Sequence, residues 1–270
     1  MKQVPDKVRT TSDCMRYEIV DLYEYEHSLY KAFRNTEAHR TPAIPPAAHA
    51  LAAAPVVAKC ALSALAIEPA IIRSLIPQHE RLHLDTFDGS AWLSLVPFQV
   101  YNMHLRFLPS LPGIAHFHEM NLRTYVTDGR HPGTVFLHIH VNKLLPVLFH
   151  RAAGLPYHKS QITVTDNQII YNGAGHEPQS TLRLEHRSGQ YLTDKTELDR
   201  WLTERYCTYQ QNGSGIYRFP IHHQEWPLRK ADIDTLSIDY RWKNIHLGNN
   251  IAAAHYADGV DTLFWMKEHL

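Results

Sequence analysis

The residue types best suited to chemistry gather on two alternating segments. The first sets Glu119, Asn121, Arg123 and Tyr125 against Met120, Leu122, Thr124 and Val126. The second sets Phe136, His138, His140 and Asn142 against Val135, Leu137, Ile139 and Val141. Alternation with period two marks strands, and Asp128-Gly129-Arg130-His131-Pro132-Gly133 between them suits a hairpin loop. Matching apolar with apolar opposes Met120 to Val141, Leu122 to Ile139, Thr124 to Leu137 and Val126 to Val135. The same register opposes Asn121 to His140, Arg123 to His138 and Glu119 to Asn142. One face is then expected to carry a carboxylate, a guanidinium, two imidazoles and two amides. Such a set can anchor an anion through Arg123, with Asn121 and His140 beside it, and move protons through Glu119 and His138. On an open sheet that face is solvated; in a closed barrel it lines a lumen that a ligand can enter. The alternation alone does not choose between the two.

Other groupings carry less. His116-x-His118 and His138-x-His140 each put two imidazoles on one strand face, and His222-His223 adds a third source. A guanidinium opposite His138 repels a cation, so no metal site is expected. No Gly-x-Gly-x-x-Gly turn, Walker loop or Gly-x-Ser-x-Gly elbow occurs, and no cofactor is expected. Cys207 has no activating neighbour in sequence and reads as a buried thiol. Trp226 and Trp242 read as core or rim aromatics.

Several elements must position these residues. Ile19, Leu22, Tyr23, Leu29, Tyr30 and Phe33 recur at helical spacing, so a helix is expected over 13–34, followed by a Pro/Ala-rich linker over 41–55. This divides the chain into an extension, 1–55, and a main domain, 56–270. Asp88-Gly89 marks a turn between strands at 82–87 and 91–100. Pro69 opens a short helix that ends by Pro77. Strands are expected at 119–127, 134–142, 157–165, 168–172, 181–187, 216–222, 232–238 and 260–266. A helical stretch follows at 143–153. A second helix, capped by Thr193 or Asp194, carries Leu198, Trp201, Leu202, Arg205, Tyr206 and Tyr209 on one side, with Cys207 inside it. Many short strands and few helices imply a sheet that closes or sandwiches on itself.

Composition limits the partners. Lys plus Arg and Asp plus Glu number 27 each, so the net charge is zero and no basic excess exists for nucleic acid. The three cysteines, Cys14, Cys60 and Cys207, are far apart and odd in number, which suits reduced thiols in the cytoplasm. The first residues lack a signal-peptide core, and Ala47–Ala66 is broken by His49, Pro55 and Lys59, so no membrane span is expected. The apolar stripe of the first helix must be covered either by the main domain or by another chain, which leaves self-association open.

Further motifs occur in order along the chain. Leu82-His83-Leu84-Asp85-Thr86-Phe87-Asp88-Gly89-Ser90-Ala91-Trp92, then Val96-Pro97-Phe98, is followed by Leu111-Pro112-Gly113 and Phe117–Val126. Gly154-Leu155-Pro156-Tyr157, Leu202–Tyr206, His223-x-x-Trp226-Pro227-Leu228 and His255–Asp261 complete the series. Together they resemble the YqjF-like family of uncharacterised proteins over about Val56–Met266. The usual aromatic start is replaced here by Ala58–Leu65, and the N-terminal helix and linker look like additions. More distantly the family is similar to the acetoacetate decarboxylase fold. That likeness implies a mainly β (α+β) architecture, a cone-shaped β-barrel with a polar cavity, a few flanking helices and the N-terminal helical extension. It also favours a functional Glu119. The decarboxylases form a Schiff base through a lysine in a Gly-hydrophobe-Pro-Lys-Lys turn. At the corresponding place this chain has Tyr157, which cannot form an imine, with Lys159 two residues on. The resulting expectation is a cavity for a small carboxylate or carbonyl compound, held by Arg123, Asn121, His140 and Tyr157. Glu119 and His138 would serve as proton-transfer groups, without Schiff-base decarboxylation. The alternative is a non-catalytic interaction protein that uses the N-terminal amphipathic helix.

Overall fold

Long alternating segments with few helix-forming stretches must pair with one another, and in the computed structural model they do. Residues 50–105, 115–147, 155–173 and 180–270 are described. The expected helix over 13–34 lies outside them. Strand β1 runs Ala50–Ile67, so the end of the Pro/Ala-rich stretch is strand. Helix α1 (Pro69–Arg73) follows, with proline in its first turn. Strands β2 (His83–Leu84), β3 (Ala91–Val100), β4 (His104–Leu105), β5 (Phe117–Thr127) and β6 (Pro132–Val141) come next. Then come β7 (Tyr157–Lys159), β8 (Gln161–Val164), β9 (Gln168–Asn172) and β10 (Thr181–Tyr191). Helix α2 (Glu197–Thr203) precedes β11 (Cys207–Asn212), β12 (Gly215–His223), β13 (Leu228–Trp242), β14 (Ile245–Leu247), β15 (Ala253–Trp265) and β16 (Glu268–His269). Of the stretch expected to be helical at 143–153, residues 144–147 are helical and 148–153 lie outside the described residues.

The strand order is β16-β12-β11-β6-β5-β3-β1-β15-β13-β10-β9-β8, and an extra β12–β15 pairing returns the sheet on itself. Strands β12, β11, β6, β5, β3, β1 and β15 therefore form a ring. The β5/β6/β3/β1 segment is covered on both faces. Met120, Leu122, Val126, Val135 and Leu137 pack toward Ile169, Tyr171, Leu182, Leu184 and Tyr240. Cys60, Leu62, Val96, Phe98, Ile139, Val141 and Tyr157 pack on the other face with Leu202, Trp226 and Ala257. Strand β7 pairs parallel to β6, which the long 142–156 connection permits.

Two local expectations change. The second helix is capped by Thr196, not Thr193 or Asp194, through a reciprocal capping box with Asp199. It ends at Thr203, and Cys207 and Tyr209 stand in β11, because the chain there pairs with β12. The Asp88-Gly89 turn is present, with φ of 50° and 73°. The strand before it, β2, pairs with β5 and not with β3.

Candidate functional site

The hairpin register differs from the expected one by one residue. Glu119 pairs with Val141, Met120 with His140, Asn121 with Ile139 and Leu122 with His138. Beyond this the register shifts, so that Arg123 pairs with Phe136 and Leu137 forms a bulge. Directly opposed residues share a face. Glu119, Asn121 and Arg123 therefore lie on one face, and His138 and His140 on the other. The expected six-residue polar face does not exist. Apolar matching failed because both faces are buried, so apolar residues serve both and polar pairs oppose apolar ones.

The first face holds Glu119, Asn121, Arg123 and Tyr157. Strand β7 brings Tyr157 opposite Ile139, and the Tyr157 hydroxyl donates to Glu119 Oε2 at 3.0 Å. The Asn121 amide donates to Glu119 Oε1 at a long 3.5 Å. Glu119 is 5% exposed and stands between Phe98 and Val141 on the neighbouring strands. Burial pushes its carboxyl up to about 7, partly offset by the hydrogen bonds from Tyr157 and Asn121. Burial and the adjacent Glu119 push the Tyr157 phenol well above its ordinary value, so it remains a hydrogen-bond donor. Arg123 donates from Nη2 to the Leu202 carbonyl of α2 at 3.2 Å. Arg123 Nε and Asn121 Oδ1 are buried without a hydrogen-bond partner among the described residues. Strand rise puts Arg123 roughly 13 Å along from Glu119, with Asn121 between them.

A cavity of about 10 Å³ lies beside Arg123, lined by Cys60, Leu62, Thr203, Trp226 and His255 among others. That is room for one water-sized group, so a larger ligand must displace side chains. The Cys60 thiol is pushed up to about 12 by burial, partly offset by Arg123, and stays neutral. Strand β1 shifts against β3 between Ala58 and Ser63, the stretch that holds Cys60, and Lys59 there has a φ of 54°.

The second face carries a histidine–tyrosine network. His138 Nδ1 lies 2.9 Å from the Tyr240 hydroxyl and 3.1 Å from His140 Nε2. His140 Nδ1 meets Ser160 Oγ at 2.8 Å, and its Nε2 meets Tyr171 and Tyr240 hydroxyls at 3.2 Å. His158, opposite His140 in β7, packs edge-on against His138. Burial depresses His138 to about 3 and His140 to about 2, with the neighbouring imidazoles adding to the shift. Both rings are neutral at neutral pH. Among the described residues no group of three or more His, Cys, Asp or Glu could hold a metal ion. No helix among them is long and apolar enough to cross a membrane.

Sequence reading missed Cys60, Asp199 and His255. Each lies far from the hairpin in sequence; Cys60 and His255 reach the first face through the ring, and Asp199 meets His255 from α2. His255, with Ala257 two residues on, was visible only as part of a motif.

The ring of strands has an acetoacetate-decarboxylase-like fold. Solved structures agree. The enduracididine biosynthesis enzyme MppR matches with TM-score 0.57 at 12% identity, over 88% of this chain and 91% of that one. The same enzyme complexed with pyruvate matches at 0.55 and 10%, over 87% and 93%. An acetoacetate decarboxylase-like enzyme from Sphingomonas wittichii RW1 matches at 0.52 and 16%, over 86% and 99%. The chain belongs to the DUF2071 family, described as "Uncharacterized conserved protein", whose model matches residues 58–261. It is 34% identical over 206 residues to the uncharacterized protein YqjF of Bacillus subtilis (strain 168), covering 74% of this chain and 84% of that protein.

Proposed function

We propose that this protein binds a small carboxylate or carbonyl compound on the Glu119/Asn121/Arg123/Tyr157 face and does not act through a Schiff base. The observation that carries the reading is the buried pair of polar groups without a partner among the described residues, Arg123 Nε and Asn121 Oδ1, on the same strand face as a glutamate whose carboxyl titrates at about 7. A guanidinium with a free Nε–H is a donor for a carboxylate, and a fork is better suited than an ammonium. A carboxyl that titrates near neutrality can both give and accept a proton at working pH. Tyr157 holds that carboxyl and leaves no amine at the position where the decarboxylases place their nucleophile. His138 and His140 take no part, since the sheet separates them from Arg123. The fold-level likeness to an enzyme complexed with pyruvate, a small carboxylate with a carbonyl, supports the ligand class by analogy.

Thermal shifts with acetate, propionate, pyruvate and acetoacetate test the reading on wild type, Arg123→Met and Arg123→Lys. Expected is a concentration-dependent rise in Tm for wild type, none for the Met variant and a smaller one for the Lys variant. An equal rise in all three proteins would overturn it.

A further inference from the structure

Arg123 shares its cavity with a second buried polar group that carboxylate anchoring leaves unused. On β15, His255 stands opposite Leu62 and Ala257 opposite Cys60, so His255 faces the same side as both. Its Nε2 lies 2.7 Å from Asp199 Oδ1. Asp199 is itself fixed by the start of α2. Its Oδ2 accepts from the Thr196 backbone N–H at 2.8 Å, and its own N–H donates to Thr196 Oγ1 at 3.1 Å. The far end of the same helix accepts Arg123 Nη2 on the Leu202 carbonyl. One seven-residue helix thus orients both the imidazole and the guanidinium.

Each of those two groups keeps one atom over. His255 is 7% exposed, and its Nδ1 has no hydrogen-bond partner among the described residues; nor has Arg123 Nε. In the tautomer that donates Nε2–H to Asp199 and leaves Nδ1 unprotonated, Nδ1 carries the lone pair and accepts. Arg123 Nε–H is a donor. Arg123 and His255 line one small, mainly apolar void, so an unpartnered donor and an unpartnered acceptor stand on residues that border the same space, a pattern that a carboxylate bearing a hydroxyl on the next carbon would complement. The void of about 10 Å³ has room for the hydroxyl, and the carboxylate beside it must displace side chains.

We propose that the oriented His255–Asp199 pair is a second recognition point of the anion site, which selects 2-hydroxycarboxylates by accepting their O–H at His255 Nδ1 while Arg123 holds the carboxylate. This rests on the anion-binding reading above and specifies its ligand. Propionate offers no hydroxyl, and pyruvate offers a carbonyl oxygen that faces the Nδ1 lone pair. Leaving the acceptor unmatched removes about one hydrogen bond, or about tenfold in affinity.

The test is calorimetric titration of the full chain with lactate, propionate and pyruvate, on wild type, His255→Gln and Arg123→Met. Lactate is expected to bind wild type about tenfold more tightly than either other acid. His255→Gln should bring lactate down to propionate with propionate unchanged, and Arg123→Met should lose all three. Because removing His255 leaves Asp199 buried without its partner, nitrogen-15 spectra of the wild-type imidazoles supply an independent readout. His255 Nδ1 should be unprotonated and should shift with lactate but not with propionate. Lactate no tighter than propionate, pyruvate tighter than lactate, or a protonated Nδ1 each overturn the hydroxyl preference and leave the anion reading standing. No binding of any acid to wild type overturns both.

Discussion

Replacing Glu119 by glutamine should make the protein more stable at neutral and alkaline pH while changing little in acid. The carboxyl lies between Phe98 and Val141 and titrates at about 7 in place of 4.5. Between those two values the folded state holds more protons than the unfolded chain, so stability falls as pH rises through this window. Wild type has the full benefit of a neutral Glu119 below about pH 4.5 and has lost it once the pH passes 7. The shift corresponds to about 3 kcal/mol. Glutamine is isosteric with the neutral acid, its carbonyl still accepts from Tyr157, and it does not titrate. The stability difference between Glu119→Gln and wild type should therefore rise by about 3 kcal/mol from pH 4.5 to pH 8, with most of the rise between 5 and 7. Urea unfolding followed by tryptophan fluorescence at four or five pH values measures it. A difference independent of pH refutes the reasoning. So does a variant that becomes relatively weaker at high pH, which would mean that Arg123 holds Glu119 as a stabilised anion.

The buried histidines work in the opposite direction. His138 and His140 titrate at about 3 and about 2 when folded, against 6.5 for the ordinary group, so the unfolded chain takes up protons first as pH falls. Their contribution is intact above about pH 6.5, and at pH 5 each should cost about 2 kcal/mol, visible in urea scans of the Glu119→Gln protein, where Glu119 does not mask it. Gly133→Ala should destabilise by about 2–3 kcal/mol, because a methyl group there would meet Cys207 Sγ at 2.6 Å and its carbonyl at 2.7 Å; an unchanged urea midpoint would contradict this. Borohydride reduction in the presence of acetoacetate should leave Tyr157 and Lys159 unmodified by mass spectrometry, and an adduct at Lys159 would restore imine chemistry.

What was legible in the sequence follows from which signals are local. Alternation located β3, β5, β6, β9 and β10, Pro69 marked α1, and Asp88-Gly89 marked its turn. Register was not legible. A hairpin with one wet face declares its pairing, but β5 and β6 are buried on both, and the Leu137 bulge changes the phase midway. That single slip moved His138 and His140 across the sheet from Glu119. The continuation of α2 through Tyr209 failed for a related reason, since β11 is held by pairing with β12 and β6 and not by its own pattern. Asp199 and His255 are 56 residues apart and meet only because α2 lies over β15, so no spacing could announce them. Glu119, Asn121, Arg123 and Tyr157 were placed together by alternation and by the resemblance at the Gly154-Leu155-Pro156-Tyr157 motif, and Glu119 hydrogen-bonds both Asn121 and Tyr157 in the fold.

The most direct test of the account is the Arg123 Nε–H signal itself, observed by nitrogen-edited magnetic resonance and assigned by its absence from Arg123→Lys. Titration with a small carboxylate should move that signal saturably, with the same affinity that calorimetry reports. A signal that stays in place through saturation, or that moves no more with carboxylate than with an equal concentration of chloride, would contradict an anion site at Arg123.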